Sequence, residues 1–266
     1  MRIIVPVKQI LDPRGITVRR DKERIFVNRE EYILEAGSKA AIEAALRLKD
    51  AGADLAAGAS SLVIALCVGE PRADDALREA LAMGCDSAYL LSDRAFKDAD
   101  ITVTVRILAA AIQKLDGADL VITGRESGDT GAGQTGPRLA EALGMAQVTD
   151  VYGITLEGDG LRAVRRWGSG YATVKVQLPA VVTVAPRAFP PRYPHGARIM
   201  SAYQEWQVPV WAAAELGLDE AALSPVLSFR RESFPPPLQV GERFHGDPAG
   251  VAQDVIAALR MQKLVR

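Results

Sequence analysis

Ile122-Thr123-Gly124-Arg125-Glu126-Ser127-Gly128-Asp129-Thr130-Gly131-Ala132-Gly133-Gln134-Thr135-Gly136-Pro137-Arg138 decides how the chain is read. Ala118–Thr123 leads into it as a short buried strand, with β-branched residues and no helical period. Leu139, Ala140 and Leu143 follow at helical spacing, and Gly144 suits a C-terminal cap. Between strand and helix lie five glycines in thirteen residues, Gly124 to Gly136, interleaved with Ser, Thr, Asp and Gln. Such a loop can turn backbone N–H groups toward an anion, because glycine has no Cβ and tolerates positive φ. The helix after it adds a positive dipole end. A plain surface loop is the alternative reading, and the position between strand and helix favours the phosphate or nucleotide cradle. The stretch has no G-K-[ST] and no G-x-G-x-x-G opening a first βαβ unit, so it matches neither the Walker nor the dinucleotide pattern.

Working outward, short apolar runs alternate with helical patterns. Arg2–Val7 is a central strand; Pro6 lacks an N–H and belongs at its end or at a break in pairing. Lys8 follows as a ligand contact or as an ordinary solvated lysine. Residues 17–27 suit a hairpin with a polar turn. Residues 35–50 suit an amphipathic helix, 62–69 a buried strand, 73–83 a helix stopped by Gly84, 87–91 a strand, and 101–115 an apolar helix. This alternation predicts an α/β fold, a doubly wound, mostly parallel sheet. Its ligand crevice would lie at the strand ends, gathering Pro6, Lys8, Val68-Gly69 and the glycine loop. After the loop helix, residues 153–157, 161–167 and 171–177 alternate with period two around glycine turns, predicting an antiparallel patch. Residues 179–184 return to the buried type.

From Pro186 the composition changes. Prolines at 186, 190, 191, 194, 209, 225 and 235–237 interrupt regular elements, with Trp206, Trp211, Phe229, Phe234 and Phe244 scattered among them. This predicts a nucleotide-binding domain over 1–185. It is followed over 186–266 by a recognition loop, an extended arm and a terminal helix (250–264) that dock on a partner.

The remaining composition narrows the function classes. Among 266 residues, 32 Lys+Arg stand against 33 Asp+Glu, which offers no electrostatic case for nucleic acid. Cys67 and Cys85 sit among apolar or small residues, predicting buried reduced thiols rather than a disulfide framework. His195 and His245 are the only histidines and lack ligand spacing, so no structural metal is expected. No signal peptide and no membrane-length apolar run is evident, which predicts a soluble chain of a reducing, cytoplasmic compartment.

With these pieces placed, the chain resembles the β subunit of electron transfer flavoprotein along nearly all its length. The resemblance rests on Ile4-Val5-Pro6-Val7-Lys8, on residues 43–49 and 76–84 as the first two helices, and on Thr123-Gly124-Arg125 through Gln134-Thr135-Gly136-Pro137 as the nucleotide loop. Residues 178–184, Pro191-Arg192-Tyr193 and Ile199-Met200 complete it. It implies an adenine-nucleotide α-hydrolase-like sheet and a heterodimer whose larger α subunit holds the redox-active FAD. It also implies AMP in this subunit, or a second FAD in electron-bifurcating types. The implied nucleotide contacts are Pro6, Lys8, Val68, Gly69, Gly124, Arg125, Asp129, Gln134, Thr135 and Gly136. The implied partner contacts are Arg192, Tyr193, His195, Gly196, Ile199 and Met200, toward a flavoprotein dehydrogenase as donor and a quinone oxidoreductase or similar acceptor.

The chain departs from that pattern at several places. Glu35-Ala36 replaces the usual Asn-Pro, where a carboxylate would repel phosphate, and Lys39 replaces an acidic residue. Gly131 and Ala132 replace an Asp and a Thr of bifurcating members, which favours AMP over a second FAD. Pro137 replaces a Gln of the housekeeping loop. Gly196 replaces a leucine anchor, and Ser201-Ala202-Tyr203-Gln204 a lysine run, which weakens the match to acyl-CoA dehydrogenases. The implied role is an electron carrier subunit rather than an enzyme by itself. A nucleotide-cleaving hydrolase would carry an S-G-G-x-D-S-type loop after the first strand, unlike residues 8–13. A stress-type nucleotide-binding dimer would lack the long tail.

Overall fold

The first strand, β1 (Arg2–Val7), has alternating side chains buried on both sheet faces, as an interior strand of the main sheet must. The computed structural model describes residues 1–55, 61–228, 234, 236 and 241–265. They divide into two compact units, 1–19 with 24–229, and 20–23 with 230–266.

In the larger unit, β1 is followed by β2 (Gln9–Leu11), a hairpin of β3 (Ile16–Arg19) and β4 (Arg24–Val27), and β5 (Tyr32–Leu34), which pairs back on β2. The long helix α1 (Ala36–Leu55) then leads to β6 (Leu62–Val68), α2 (Asp74–Met83), β7 (Ser87–Leu91) and α3 (Ile101–Lys114). Next come β8 (Leu120–Gly124), the glycine loop and α4 (Thr135–Leu143). An antiparallel meander follows, β9 (Ala146–Glu157), β10 (Gly160–Trp167) and β11 (Gly170–Gln177), then β12 (Ala180–Val184), α5 (Gly196–Gln204) and β13 (Val210–Trp211). Among the described residues the main sheet has nine strands in the order β11-β10-β9-β12-β8-β1-β6-β7-β13, parallel except for the meander. The predicted α/β sheet with its antiparallel patch is present.

Period-two alternation along β1 sends Ile3, Val5 and Val7 to the α1/α2 face and Ile4 to the α3/α4 face. The two faces bury Leu46 and Leu77 on one side and Ile107, Ile112 and Leu139 on the other. Each such aliphatic side chain contributes about 1.5–3 kcal/mol. The chain winds outward from β1 in two directions, through β6 and β7 on one side and β8 and β12 on the other, so the order reverses between β1 and β8. Pairing of β1 with β6 runs through Pro6↔Leu66 to Val7↔Cys67, whereas β1 and β8 pair only at Ile3↔Leu120 and Ile4↔Val121. Pro6 therefore stands where β1 and β8 have parted, and the crevice opens there.

Asp93 and Asp100 hold the segment after β13 on this unit. Asp93 accepts from the Ala213 N–H at 2.9 Å; Asp100 caps α3 through Val103 N–H and accepts from Val226 and Leu227 N–H, each at 2.8 Å. Burial pushes the Asp100 carboxyl up, but the three amides outweigh it and hold it below its ordinary value of 3.8. A lowered folded pKa means stability that is present above 3.8 and lost as the pH falls through the folded value. Asp100→Asn removes this charge and leaves one acceptor oxygen. Faster hydrogen exchange at Val226 and Leu227 is expected in the variant at neutral pH, with a flatter acid limb of thermal stability. Unchanged exchange at both amides would show that the carboxylate does not hold the segment.

The smaller unit contains α6 (Pro248–Met261), started by Pro248 at its first turn and by Asp247 accepting from Ala249 and Gly250 N–H, each at 3.0 Å. None of the residues of α6 is buried, and Ile256, Met261 and Leu264 are exposed. Among the described residues no helix is long and apolar enough to cross a membrane.

Candidate functional site

At the carboxyl ends of β1 and β8 three backbone segments meet with no room for side chains. A Cβ on Gly124 would lie 2.9 Å from the Gly37 carbonyl carbon, and one on Gly37 would lie 3.1 Å from the Glu126 carbonyl oxygen. The first turn of α1 thus packs directly on the end of β8. Lys8 ties the junction together. Its N–H donates to Ser38 Oγ at 3.0 Å, its carbonyl accepts from Glu35 N–H at 3.0 Å, and its ammonium meets Asp129 at 2.5 Å and Ser127 Oγ at 3.5 Å. Burial pushes the Asp129 carboxyl up, but the hydrogen bonds from Lys8 and Ser127 outweigh it and hold it low.

The glycine loop closes on itself through Gly131 N–H to the Ser127 carbonyl at 2.8 Å, with Ser127 and Thr130 hydroxyls 3.0 Å apart. Gly131 and Gly133 take the left-handed region at φ 59° and 62°, which glycine enters without cost. Beyond that closure, no acceptor among the described residues meets the N–H groups of Ala132, Gly133 and Gln134. These run into the N-terminus of α4, where Gln134 gives no side-chain cap and the first-turn amides are orphans by helix geometry. Gly136 brings that turn down between Thr123 and Thr183, leaving no space for a Cβ.

The sequence-predicted nucleotide residues fall into three groups. Lys8 and Asp129 are in contact across the crevice, while Gln134, Thr135 and Gly136 form the N-terminus of α4. Val68 and Gly69 stand at the end of β6, on the other side of β1, with Gly69 N–H bonded to Leu91 O at 3.1 Å. Pro6 lies between these groups on β1, and Gly124 ends β8. Arg125 donates its N–H to Val184 O at 2.8 Å, and its guanidinium is taken by Glu126 and Asp150. The hydrogen bond to Glu126 raises its pKa further. Ser38, Ser127 and Gly37 belong to the site without having been singled out in the sequence. A glycine in the first turn of a helix, where better helix formers are available, was the one available signal for Gly37.

The sequence-predicted partner residues lie at and before α5. Arg192 is turned inward to Glu43 at 2.8 Å and Asp50 at 2.8 Å. His195 caps α5 by accepting the Ala197 N–H on Nδ1 at 3.3 Å, and Gly196 opens the helix with nothing within 4 Å of a Cβ position. Tyr193 is 94 % and Met200 60 % exposed. Tyr193, Pro194 and Ile199 line a groove of about 440 Å³ with Tyr32, Asp75 and Tyr203.

Cys67 and Cys85 are buried and free, and burial pushes each thiol up to about 12, so neither is a thiolate at neutral pH. No group of three or more metal-ligating side chains occurs among the described residues.

Comparison with known proteins matches residues 24–216 to the family described as electron transfer flavoprotein domain. The chain is 35% identical to the caffeyl-CoA reductase-Etf complex subunit CarD of Acetobacterium woodii, over 100% of both chains. It is 38% identical to the electron transfer flavoprotein subunit beta of Clostridium acetobutylicum, covering 84% of this chain and 83% of that one. Against the Mycobacterium bovis subunit beta the identity is 32% over 99% of each. A sheet wound outward from β1, a glycine loop between β8 and α4, and full-length relatives of one kind converge: the chain belongs to the electron transfer flavoprotein β-subunit family.

Proposed function

We propose that the crevice between β1 and β8 binds an adenine nucleotide, AMP in the favoured reading, and that the chain works as a carrier subunit beside an α subunit. The observation that carries this is the run of open N–H groups from Ala132 to the uncapped start of α4, at the point where strand order reverses. Around it the carboxylates Glu35, Glu126, Asp129 and Asp150 stand against Lys8, Arg125 and Arg138; Lys8 and Arg125 are paired with carboxylates, and Arg138 donates to Gln134 Oε1 at 2.9 Å. A phosphate is therefore held by backbone amides and the α4 dipole rather than by basic side chains. FAD, held mainly by the α subunit, supplies the redox chemistry when bound. Pro6, Val68 and Gly69 line the nucleotide side, and Gln134, Thr135 and Gly136 hold phosphate. Electrons come from a flavoprotein dehydrogenase and leave to a quinone oxidoreductase or similar acceptor. The 193–203 segment and the terminal helix α6 are the docking elements, since both carry exposed apolar side chains.

A second reading places FAD in this crevice too. It draws on the open space at Gly131, where nothing lies within 4 Å of a Cβ position, and on the likeness to a reductase-Etf complex subunit. Nucleotide released by denaturing the co-purified heterodimer separates the two. One AMP and one FAD per heterodimer is the expected result; two FAD and no AMP would replace it with the second reading. FAD alone, at one per heterodimer, would remove the nucleotide from this chain.

A further inference from the structure

We infer that the groove bordered by β5, α2 and α5 receives an apolar side chain of the donor flavoprotein, carried on a helix with a lysine or arginine one turn away; this rests on the carrier reading above. The groove has a volume of about 440 Å³. Buried Leu34, Ala76 and Ala82 form its floor, and the exposed Ile199 and Tyr203 belong to its rim. The hollow exists because α2 presents alanines there. Two arginines fix its walls. Arg78 of α2 donates to the carbonyls of Ala202 and Trp206, and Arg198 of α5 donates back to the Leu81 carbonyl at 2.9 Å. Each helix thus has C-terminal carbonyls met by a cation of the other. Such a groove is preformed, so little ordering is lost when it is filled.

Charge selects the occupant. Asp75 and Glu79, one turn apart on α2, both line the groove. The neighbouring cations are committed: Lys39 to Glu79 at 2.6 Å, Arg78 to Asp74 at 2.5 Å, and Arg72 to Glu70 at 3.1 Å. Asp75 has no ion pair or hydrogen bond among the described residues. The negative field registers at Tyr203, whose hydroxyl is raised above its ordinary 10.0 by burial and by Asp75 and Glu79. An apolar hollow with an unanswered carboxylate at its edge suits an apolar anchor accompanied by a cation, the pattern of a helix laid in a groove. Acidic and phosphorylated segments are repelled. The size of the hollow argues for a transient partner. Electron-transfer encounters bury little surface, whereas obligate subunits bury about 2,000 Å² or more.

The test uses the purified heterodimer and, from a panel of flavoprotein dehydrogenases, the one that reduces its FAD fastest. KM for the heterodimer is measured across a range of salt concentrations. Asp75→Lys is expected to raise KM about five-fold and to abolish its rise with salt, while kcat stays within about two-fold. Ile199→Asp should raise KM about ten-fold by spoiling the seat of the anchor. Asp159→Lys makes the same charge change at an exposed turn between β9 and β10, and should leave KM within about two-fold. An unchanged KM in both groove variants overturns the proposal and leaves the carrier reading standing. Dissociation of the heterodimer in Ile199→Asp overturns it too, by placing the α subunit in the groove. A second copy offers similar chemistry through Ile256 and Arg260 of α6. Sedimentation of the unmodified heterodimer at twice its mass, lost in Ile199→Asp, would put that copy in the donor's place and overturn the proposal. A heterodimer that no dehydrogenase of the panel reduces overturns it together with the reading it rests on. If Ile199→Asp does not fold, the exposed Asp75 and its salt profile still decide.

Discussion

Gly136→Ala is expected to destabilise the chain by about 2–3 kcal/mol and to strip the nucleotide from the purified heterodimer. An alanine Cβ at this position would lie 2.3 Å from Thr183 Cγ2 and 3.0 Å from Thr123 Oγ1, and both threonines are buried. Neither can step aside freely. Thr183 Oγ1 accepts the Asp150 N–H at 3.0 Å, and Thr123 Oγ1 donates to the Gly124 carbonyl at 3.0 Å. A β-branched side chain also has few rotamers to offer. The first turn of α4 must therefore lift off the ends of β8 and β12, carrying the amides of Thr135 and residue 136 with it. Denaturant unfolding and nucleotide content measure the two consequences. Gly131→Ala is the control: it meets nothing within 4 Å, so it costs about 1 kcal/mol for its positive φ and leaves α4 in place. Adding Thr183→Ser to Gly136→Ala removes Cγ2 but keeps the hydroxyl, and should restore part of both losses. If Gly136→Ala unfolds like the unmodified chain and keeps its nucleotide, the contact does not set the position of α4.

The sequence made this region legible in part. The strand before the loop, the glycine cluster and the αL cap at Gly144 are local features, each set by neighbouring residues. What Gly124 is for is not local. Its reason is the backbone of Gly37 on another element, and only the sheet order brings the two together. Glu35 shows the same limit. In the sequence it is a carboxylate that should repel phosphate; in the fold one oxygen caps α1 and the other faces the loop. The strand β13 was invisible as well. Two residues, Val210 and Trp211, cannot display a period, and their pairing with Leu90 and Leu91 follows from tertiary packing, with Trp211 against Tyr89 at 4.4 Å. Phe229, Pro235 and Pro237, which read in the sequence as part of the extended arm, lie outside the described residues.

Glu43→Ala is the second large effect expected, and it should loosen the segment that presents Tyr193, Ile199 and Met200. In an amphipathic helix Glu43 reads as one more charged residue, yet its side chain is 5 % exposed. It is buried because Arg192, 149 residues later, returns to it. Oε2 accepts from the Arg192 backbone N–H at 3.1 Å and from its Nε at 2.8 Å, while Oε1 takes Arg47 Nε at 2.8 Å. Breaking a fully buried pair costs about 3–5 kcal/mol. Here Arg192 is 36 % exposed and keeps Asp50, so solvent screening lowers the expected loss to about 2 kcal/mol. Asp50→Asn, at a side chain 60 % exposed, should cost about 0.5 kcal/mol or less and serves as the comparison. Burial pushes the Glu43 carboxyl up, but the bonds from Arg192 and Arg47 outweigh it and hold it below its ordinary value of 4.5. Its contribution is thus present above 4.5 and lost as the pH falls through the folded value. Glu43→Gln should unfold with a flatter acid limb than the unmodified chain. Faster hydrogen exchange over residues 190–204 in Glu43→Ala, with the sheet core unchanged, would place the loss in this clamp. Uniform exchange across the chain would instead make Glu43 a support of the whole fold, and the docking segment would then owe its position to the contacts of α5 on α2.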